Sequence, residues 1–262
     1  METNVYNISV KTFSGGGEKQ VRIYSKPIKE NYHVISCTDR KKKVYSNIAE
    51  AQAQARRSLR NSMVHSKNMI YDLARENRGK FRYFLTLTFN PKKVDSYNYD
   101  KSAKKVSYWL NNLKKKNIPE LYYLGVPELH QSGRYHFHFL ISDISDILED
   151  SGHKTSTGQI IYNVPVYRWG FSTATEINSP EKCCAYICKY ITKDLLGHIK
   201  FKKRYWRSKN LVLPAVEKDF IEQNQIEPLK RTLNDVAEYH KTLQYMSYEA
   251  NLEDIDIYEL KG

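Results

Sequence analysis

The chain has 262 residues, 40% of them hydrophobic and 13% aromatic, which is enough apolar side chain for a sizeable core and excludes a disordered chain. No stretch approaches the roughly 18 consecutive apolar residues of a membrane helix, and METNVYNISV lacks a basic-then-apolar signal pattern, so the expected setting is the cytoplasm with no membrane partner. The four cysteines form no paired C-x-x-C units, against both a disulfide framework and a four-Cys zinc site, and the net charge of +13 points to a polyanionic partner.

Residues 1–45 alternate modestly (VRIYSKPI, YHVISC) and predict short strands broken by SGGGE at 14–18. Function is not readable there. From Ser46 to Asn77 there is no Pro or Gly, and the wealth of Ala, Gln, Arg and Glu predicts a long helix with Ser46 as N-cap and Glu50 near the first turn. Its Arg56, Arg57 and Arg60 read first as a solvated basic face and only second as DNA contacts. KFRYFLTLTFN (80–90) predicts a strand with Phe84, Thr86 and Thr88 on one face and Tyr83, Leu85, Leu87 and Phe89 on the other, stopped by Asn90-Pro91. Tyr99–Lys116 has helical period, with Val106, Trp109, Leu110 and Leu113 as the buried stripe.

Leu121–Ile141 reads as a β-hairpin: LYYLGVPEL, a polar turn at Gln131–Arg134, then the alternating strand Tyr135–Ile141. Residues two apart in a strand share a face, so His136 and His138 point the same way. With Ser132–Arg134 as a three-residue loop, Glu128 falls opposite His138 and His130 opposite His136. A carboxylate and two or three imidazoles then converge, which suits a divalent metal. Histidines decorating a half-exposed strand are the plainer alternative.

The acidic, then Gly/Ser/Thr-rich segment 143–163 predicts a surface loop; its GHKT (152–155) lacks the upstream glycine and the Gly-Lys order of a phosphate loop. VYRWGFSTATEI predicts a strand within Val164–Ile177, and Ser179-Pro180 a helix start, with the helix running from Glu181 to about Leu195 and ending at Gly197. At 100° per residue Tyr186, Lys189, Tyr190 and Lys193 share one side of that helix, and Cys184, Ile187, Cys188, Ile191 and Leu195 the other. Exposed tyrosines on a basic face would be unremarkable alone, since the chain has 21 tyrosines. Beside a metal-binding strand they suit phosphoryl transfer: a tyrosyl oxygen attacks a phosphodiester, a lysine one turn away favours the phenolate, and a bound Mg²⁺ or Mn²⁺ supports the leaving 3′-oxygen. Two tyrosines allow a second transfer without release of the first end. FKKRYWRSKN (201–210) interleaves base with aromatic, and Lys202, Lys203, Arg204, Tyr205, Trp206 and Arg207 are candidate contacts to single-stranded DNA. After Pro214 a helical region is expected around Leu229–Tyr245.

Three motifs in order, FLTLTF (84–89), HFH (136–138) and YICKYITKD (186–194), resemble those of the HUH endonucleases, specifically the two-tyrosine rolling-circle replication initiators of small single-stranded DNA phages and related plasmids. The resemblance covers about Phe81 to Leu195. It implies an α+β fold, a ferredoxin- or RRM-like antiparallel sheet with flanking helices, at residues 46–200, with 1–45 as N-terminal strands and 201–262 as a basic arm and helical C-terminal region. It implies metal ligands His136, His138 and Glu128, with His130 as substitute or second-shell partner, and catalytic roles for Tyr186, Tyr190, Lys189 and Lys193. The implied activity is metal-assisted nicking and rejoining of single-stranded origin DNA, hairpins included, through a covalent 5′-phosphotyrosine, in the cytoplasm of a bacterial host with a host helicase and polymerase. A relaxase or single-strand transposase shares that chemistry; relaxases usually carry their tyrosines before the histidines, and small transposases usually have one tyrosine. A non-catalytic RRM-like binder of single-stranded nucleic acid would use the same basic and aromatic surface without metal or covalent chemistry.

Overall fold

The computed structural model describes residues 5–14, 17–29, 47–200, 202–246 and 252–262. In chain order these form β1 (Val5–Thr12), β2 (Lys19–Lys29), α1 (Ile48–Glu76), β3 (Tyr83–Phe89), α2 (Tyr99–Lys116), β4 (Tyr123–Leu129) and β5 (Tyr135–Ile141). Then follow β6 (Glu149–Lys154), β7 (Ile160–Asn163), β8 (Gly170–Glu176), α3 (Pro180–Ile187) and α4 (Lys193–His198). The chain closes with β9 (Trp206–Arg207), β10 (Ala215–Asp219), α5 (Gln223–Val236), β11 (Tyr239–Met246) and β12 (Leu252–Leu260). The result is α+β, as expected, with two antiparallel sheets. Among the described residues no helix is long and apolar enough to cross a membrane.

Two compact units divide the chain, Met1–Val44 with Pro214–Gly262, and Tyr45–Leu213. In the first, β10-β1-β2-β12-β11 form a five-stranded sheet on which α5 packs Ile226 and Leu233 against Val21, Ile23 and Tyr258. The two ends of the sequence, treated separately in the reading above, are therefore strands of one sheet. The helix expected over Leu229–Tyr245 stops at Val236, and Tyr239–Met246 is a strand along β12. Ala237 turns extended (φ −75°, ψ 135°), and long-range pairing with Leu252–Leu260 wins over the local helical pattern. Ser46 and YHVISC (32–37) lie outside the described residues; the cap of α1 is Asn47, whose Oδ1 accepts from Glu50 N at 2.8 Å.

In the second unit the sheet order is β6-β7-β8-β3-β5-β4-β9. β3 alternates as expected, with Tyr83, Leu85, Leu87 and Phe89 buried. The face bearing Tyr135 and Phe137 is covered by α2, where Tyr99 meets the Tyr135 ring at 5.1 Å and Val106, Trp109, Leu110 and Leu113 are buried. The opposite face carries Thr86, Thr88, His136 and His138 and lies under α3.

Three local expectations are corrected. The segment 143–163 is not a loop throughout: β6 and β7 form a hairpin, turned at Thr155–Gly158, that extends the sheet. Its strands have exposed polar residues on both sides, so no apolar alternation marks them. The helix expected from Glu181 to Leu195 is broken. It tightens to a 3₁₀ turn at Cys188–Tyr190, opens at Ile191, and restarts as α4 with Thr192 Oγ1 accepting from Leu195 N at 3.1 Å. A threonine able to cap competes with the continuing helix ladder, which explains the break. Gly197 accordingly sits inside α4 rather than ending it. Ser179 is the N-cap residue of α3, but its side chain makes no capping hydrogen bond; Pro180 stands in the first turn as expected.

Candidate active site

The hairpin of β4 and β5 is built around Gly133, whose φ of +78° is left-handed. A three-residue hairpin loop places that conformation at its last position. The loop is therefore Gln131–Gly133, closed by His130 N donating to Arg134 O at 2.9 Å, and not Ser132–Arg134. The register shifts by two residues: Glu128 pairs with His136, and Val126 with His138. A shift of one would have turned every side chain to the other face; a shift of two preserves the face. Glu128, His136 and His138 remain together, now as a diagonal and a direct pair.

Glu128 Oε2 lies 2.7 Å from His138 Nε2. That hydrogen bond, with the coulombic pull of the three histidines, holds the Glu128 carboxyl below the usual carboxylate range against the opposing effect of burial. Each ring of the His-x-His pair is oriented from β3: Thr86 Oγ1 is 3.0 Å from His138 Nδ1, and Thr88 Oγ1 is 3.2 Å from His136 Nδ1. Burial is the main force keeping the His136 imidazole below its ordinary pKa, hence neutral. His130 is exposed at the hairpin tip, stacked on His136 at 5.0 Å, with Nδ1 engaged by Ser132 Oγ at 2.9 Å.

Among the described residues no three His, Cys, Asp or Glu side chains form a ready-made cage for an ion. The donor chemistry nevertheless fits a divalent metal. Threonines take Nδ1 of both histidines and leave Nε2 for ligation, which is the usual outer support of a metal-binding imidazole. Nε2 of His138 and Oε2 of Glu128 are the atoms an ion would claim from their mutual hydrogen bond.

Above the histidines, Tyr190 stacks its ring on His138 with centroids 3.7 Å apart and planes 13° from parallel. Tyr190 Oη donates to Tyr186 Oη at 3.1 Å. The two tyrosines differ in setting: Tyr186 is 45% exposed and Tyr190 only 9%. Lys189 Nζ lies 3.4 Å from the Tyr186 ring centroid, and its hydrogen bond, followed by that of Tyr190, lowers the Tyr186 pKa. Burial first, then the bond to Tyr186, raises that of Tyr190. Phe84 fills the space beneath, edge-on to Tyr186 at 5.4 Å and stacked near His138 at 5.9 Å. Lys193 stands beyond the break, at the first residue of α4, and its side chain is outside the described residues.

The basic arm is less available than its sequence implies. Trp206 is 1% exposed, donates from Nε1 to Ser107 Oγ at 3.0 Å and meets Phe137 at 5.1 Å, so it offers no face to a base. Tyr205 packs against the core, Arg204 is engaged by Ser62 and Ser66 of α1, and Lys202 pairs with Asp100 at 2.6 Å. Lys203 is exposed yet lies 5.0 Å from the Trp206 ring, and Arg207 is exposed. Reading the arm as a DNA ribbon overlooked that β9 pairs with β4 at Gly125 and Leu124. Conversely, the supporting roles of Thr86, Thr88 and Phe84 went unassigned. Their alternation was visible, but only the pairing of β3 with β5 turns it into contact with the histidines.

Residues 82–195, which span β3 to the start of α4 and all of the candidate site, match a family model described as replication-associated protein ORF2. Searches of curated proteins and of solved structures find no match. The family match supports a replication initiator, a class of protein that binds DNA at an origin.

Proposed function

We propose that this chain nicks and rejoins single-stranded origin DNA through a covalent tyrosine linkage, in rolling-circle replication. The observation that carries the reading is the stack of Tyr190 on His138, which sets a pair of hydrogen-bonded phenols directly over the Glu128–His138 contact. A nucleophile pair and a metal-ligand set on one patch have no use in simple binding.

The exposed Tyr186 makes the first attack. Its phenolate, stabilised by Lys189 and by the Tyr190 hydroxyl, attacks phosphorus; a P–Oη bond forms, the P–O3′ bond breaks, and the 3′-oxygen leaves as a hydroxyl after protonation. The product is a 5′-phosphotyrosine. Rejoining reverses the step, with a 3′-hydroxyl attacking the phosphotyrosine, while Tyr190 stands one hydrogen bond away for a second cut. His136, His138 and Glu128 would hold Mg²⁺ or Mn²⁺, with His130 in reserve at the hairpin tip. The metal would supply Lewis-acid polarisation of the phosphate and charge stabilisation on the leaving oxygen. A host helicase and polymerase are partners in this reading.

Incubation with single-stranded origin DNA and Mn²⁺ is expected to give a protein–DNA adduct that survives denaturation. Absence of an adduct across many origin sequences, with DNA still bound, would replace the proposal by a non-catalytic single-stranded nucleic-acid binder.

A further inference from the structure

One residue outside the tyrosine–histidine cluster lies in its line. Across four neighbouring strands the register aligns Phe171 with Thr88, Thr88 with His136, and His136 with Glu128. Thr88 faces His136 through a side-chain hydrogen bond, so Phe171 projects from the same face of the sheet. Its neighbours Ser172 and Ala174 point into the interior and are buried. Phe171 itself is 61% exposed.

A lone exposed apolar side chain is ordinary on a protein surface. Phe171 differs in place and in surroundings. It sits two strands from His136, about 10 Å away at the usual strand spacing. The loops at that end of the sheet carry Lys92, Lys93 and Arg168, all exposed. On the hairpin side of the same row Tyr97 is 57% exposed, with the Arg134 guanidinium 5.3 Å from its ring. Aromatic faces beside cations, with small threonines between them, leave a sheet surface suited to a flexible chain of phosphates and bases. Single-stranded DNA meets both demands at once; a duplex hides its base faces.

We propose that Phe171 is a base-stacking platform, a positioning residue that holds the base of a nucleotide close to the phosphate under attack. The assignment rests on the single-stranded DNA substrate proposed above. Stacking ties the strand down on one side of His136, so the phosphodiester is presented to Tyr186 rather than sliding along the sheet. Because any base has a π face, the contact fixes register and not sequence.

The test uses the full chain and single-stranded oligonucleotides of the origin strand, each carrying one 2-aminopurine moved stepwise along it. Wild type is expected to quench the probe at adjacent positions beside the cleaved bond. Phe171→Ala should lose that quenching and weaken binding about 5- to 100-fold. Phe171→Trp should retain both. Phe171→Leu, which keeps apolar bulk without a π face, should lose the quenching, which a purely structural role would not do. Phe171→Ala that binds within about twofold of wild type, with unchanged quenching, overturns the platform, and adduct formation by wild type in the same samples leaves the nicking chemistry standing. Quenching that depends on Phe171 in a wild-type protein that forms no adduct supports the platform and removes the chemistry instead.

Discussion

The unequal settings of the two tyrosines make a sharp prediction. Tyr190→Phe keeps the ring that stacks on His138 at 3.7 Å and deletes the hydroxyl that donates to Tyr186 at 3.1 Å. A hydrogen bond to a charged group is worth about 1.5–3 kcal/mol. Tyr186 is 45% exposed, so solvent compensates part of that loss and the lower end, roughly 1.5 kcal/mol, applies. The first cleavage should therefore slow by about tenfold in Tyr190→Phe. Tyr186→Phe removes the attacking oxygen itself and should slow the first cleavage far more. Single-turnover adduct formation on the origin strand, followed by denaturing gel, reads both rates, and peptide mapping of the adduct identifies the linked tyrosine. If Tyr186→Phe forms adduct as wild type does while Tyr190→Phe forms none, the order of attack argued from exposure and hydrogen bonding is wrong. If neither single change nor the double one lowers adduct, neither tyrosine is the nucleophile.

Three further outcomes are expected. His136→Ala and His138→Ala, like chelation of divalent metal, should abolish adduct formation while largely sparing affinity for single-stranded DNA, because they remove ligands and little charge; parallel loss of binding would sink the metal assignment. Gly125→Ala should destabilise the second unit, since its Cβ would come within 2.0 Å of the buried Phe139 ring. Overpacking of this kind costs about 1–3 kcal/mol, seen as a fall of several degrees in Tm, and an unchanged Tm would show that β4 and β5 are not packed as described. In the first unit, burial pushes the Asp256 carboxyl up, but hydrogen bonds from Lys230 and Thr242 outweigh it and hold it below the usual range. A lowered folded pKa gives stability that is present above the unfolded value of about 3.9 and is lost as pH falls through the folded one. The gap in stability between wild type and Asp256→Asn should thus be wide near about pH 6 and close below about pH 4. Hydrogen exchange of α5 and β12 measures it, and a gap independent of pH would contradict the pairing of Lys230 Nζ with Asp256 Oδ2 at 2.8 Å.

What the sequence determined by itself was the content of periodic, locally encoded elements. The alternation of FLTLTF and YHFHFLI, the apolar stripe of Tyr99–Lys116, and the co-facial Tyr186, Lys189 and Tyr190 all depend on neighbours within a few residues, and all are present. The metal-ligand set was legible for a related reason: side-chain parity in a strand survives a two-residue error in register, so Glu128 and His138 meet despite a misplaced loop. Tertiary structure decided the rest. Only strand pairing shows that Thr86 and Thr88 hold the histidines, that Phe171 lies in the row of His136, and that Trp206 is a core residue rather than a base-stacking one. The pairing of Tyr239–Met246 with Leu252–Leu260 overrode a helical pattern, and a capping bond at Thr192 cut a helix whose apolar period ran on. In each case the deciding free energy comes from a partner that the local pattern does not specify. The site's chemistry is therefore written in short motifs, while its orientation and support are written in the order of strands across the sheet.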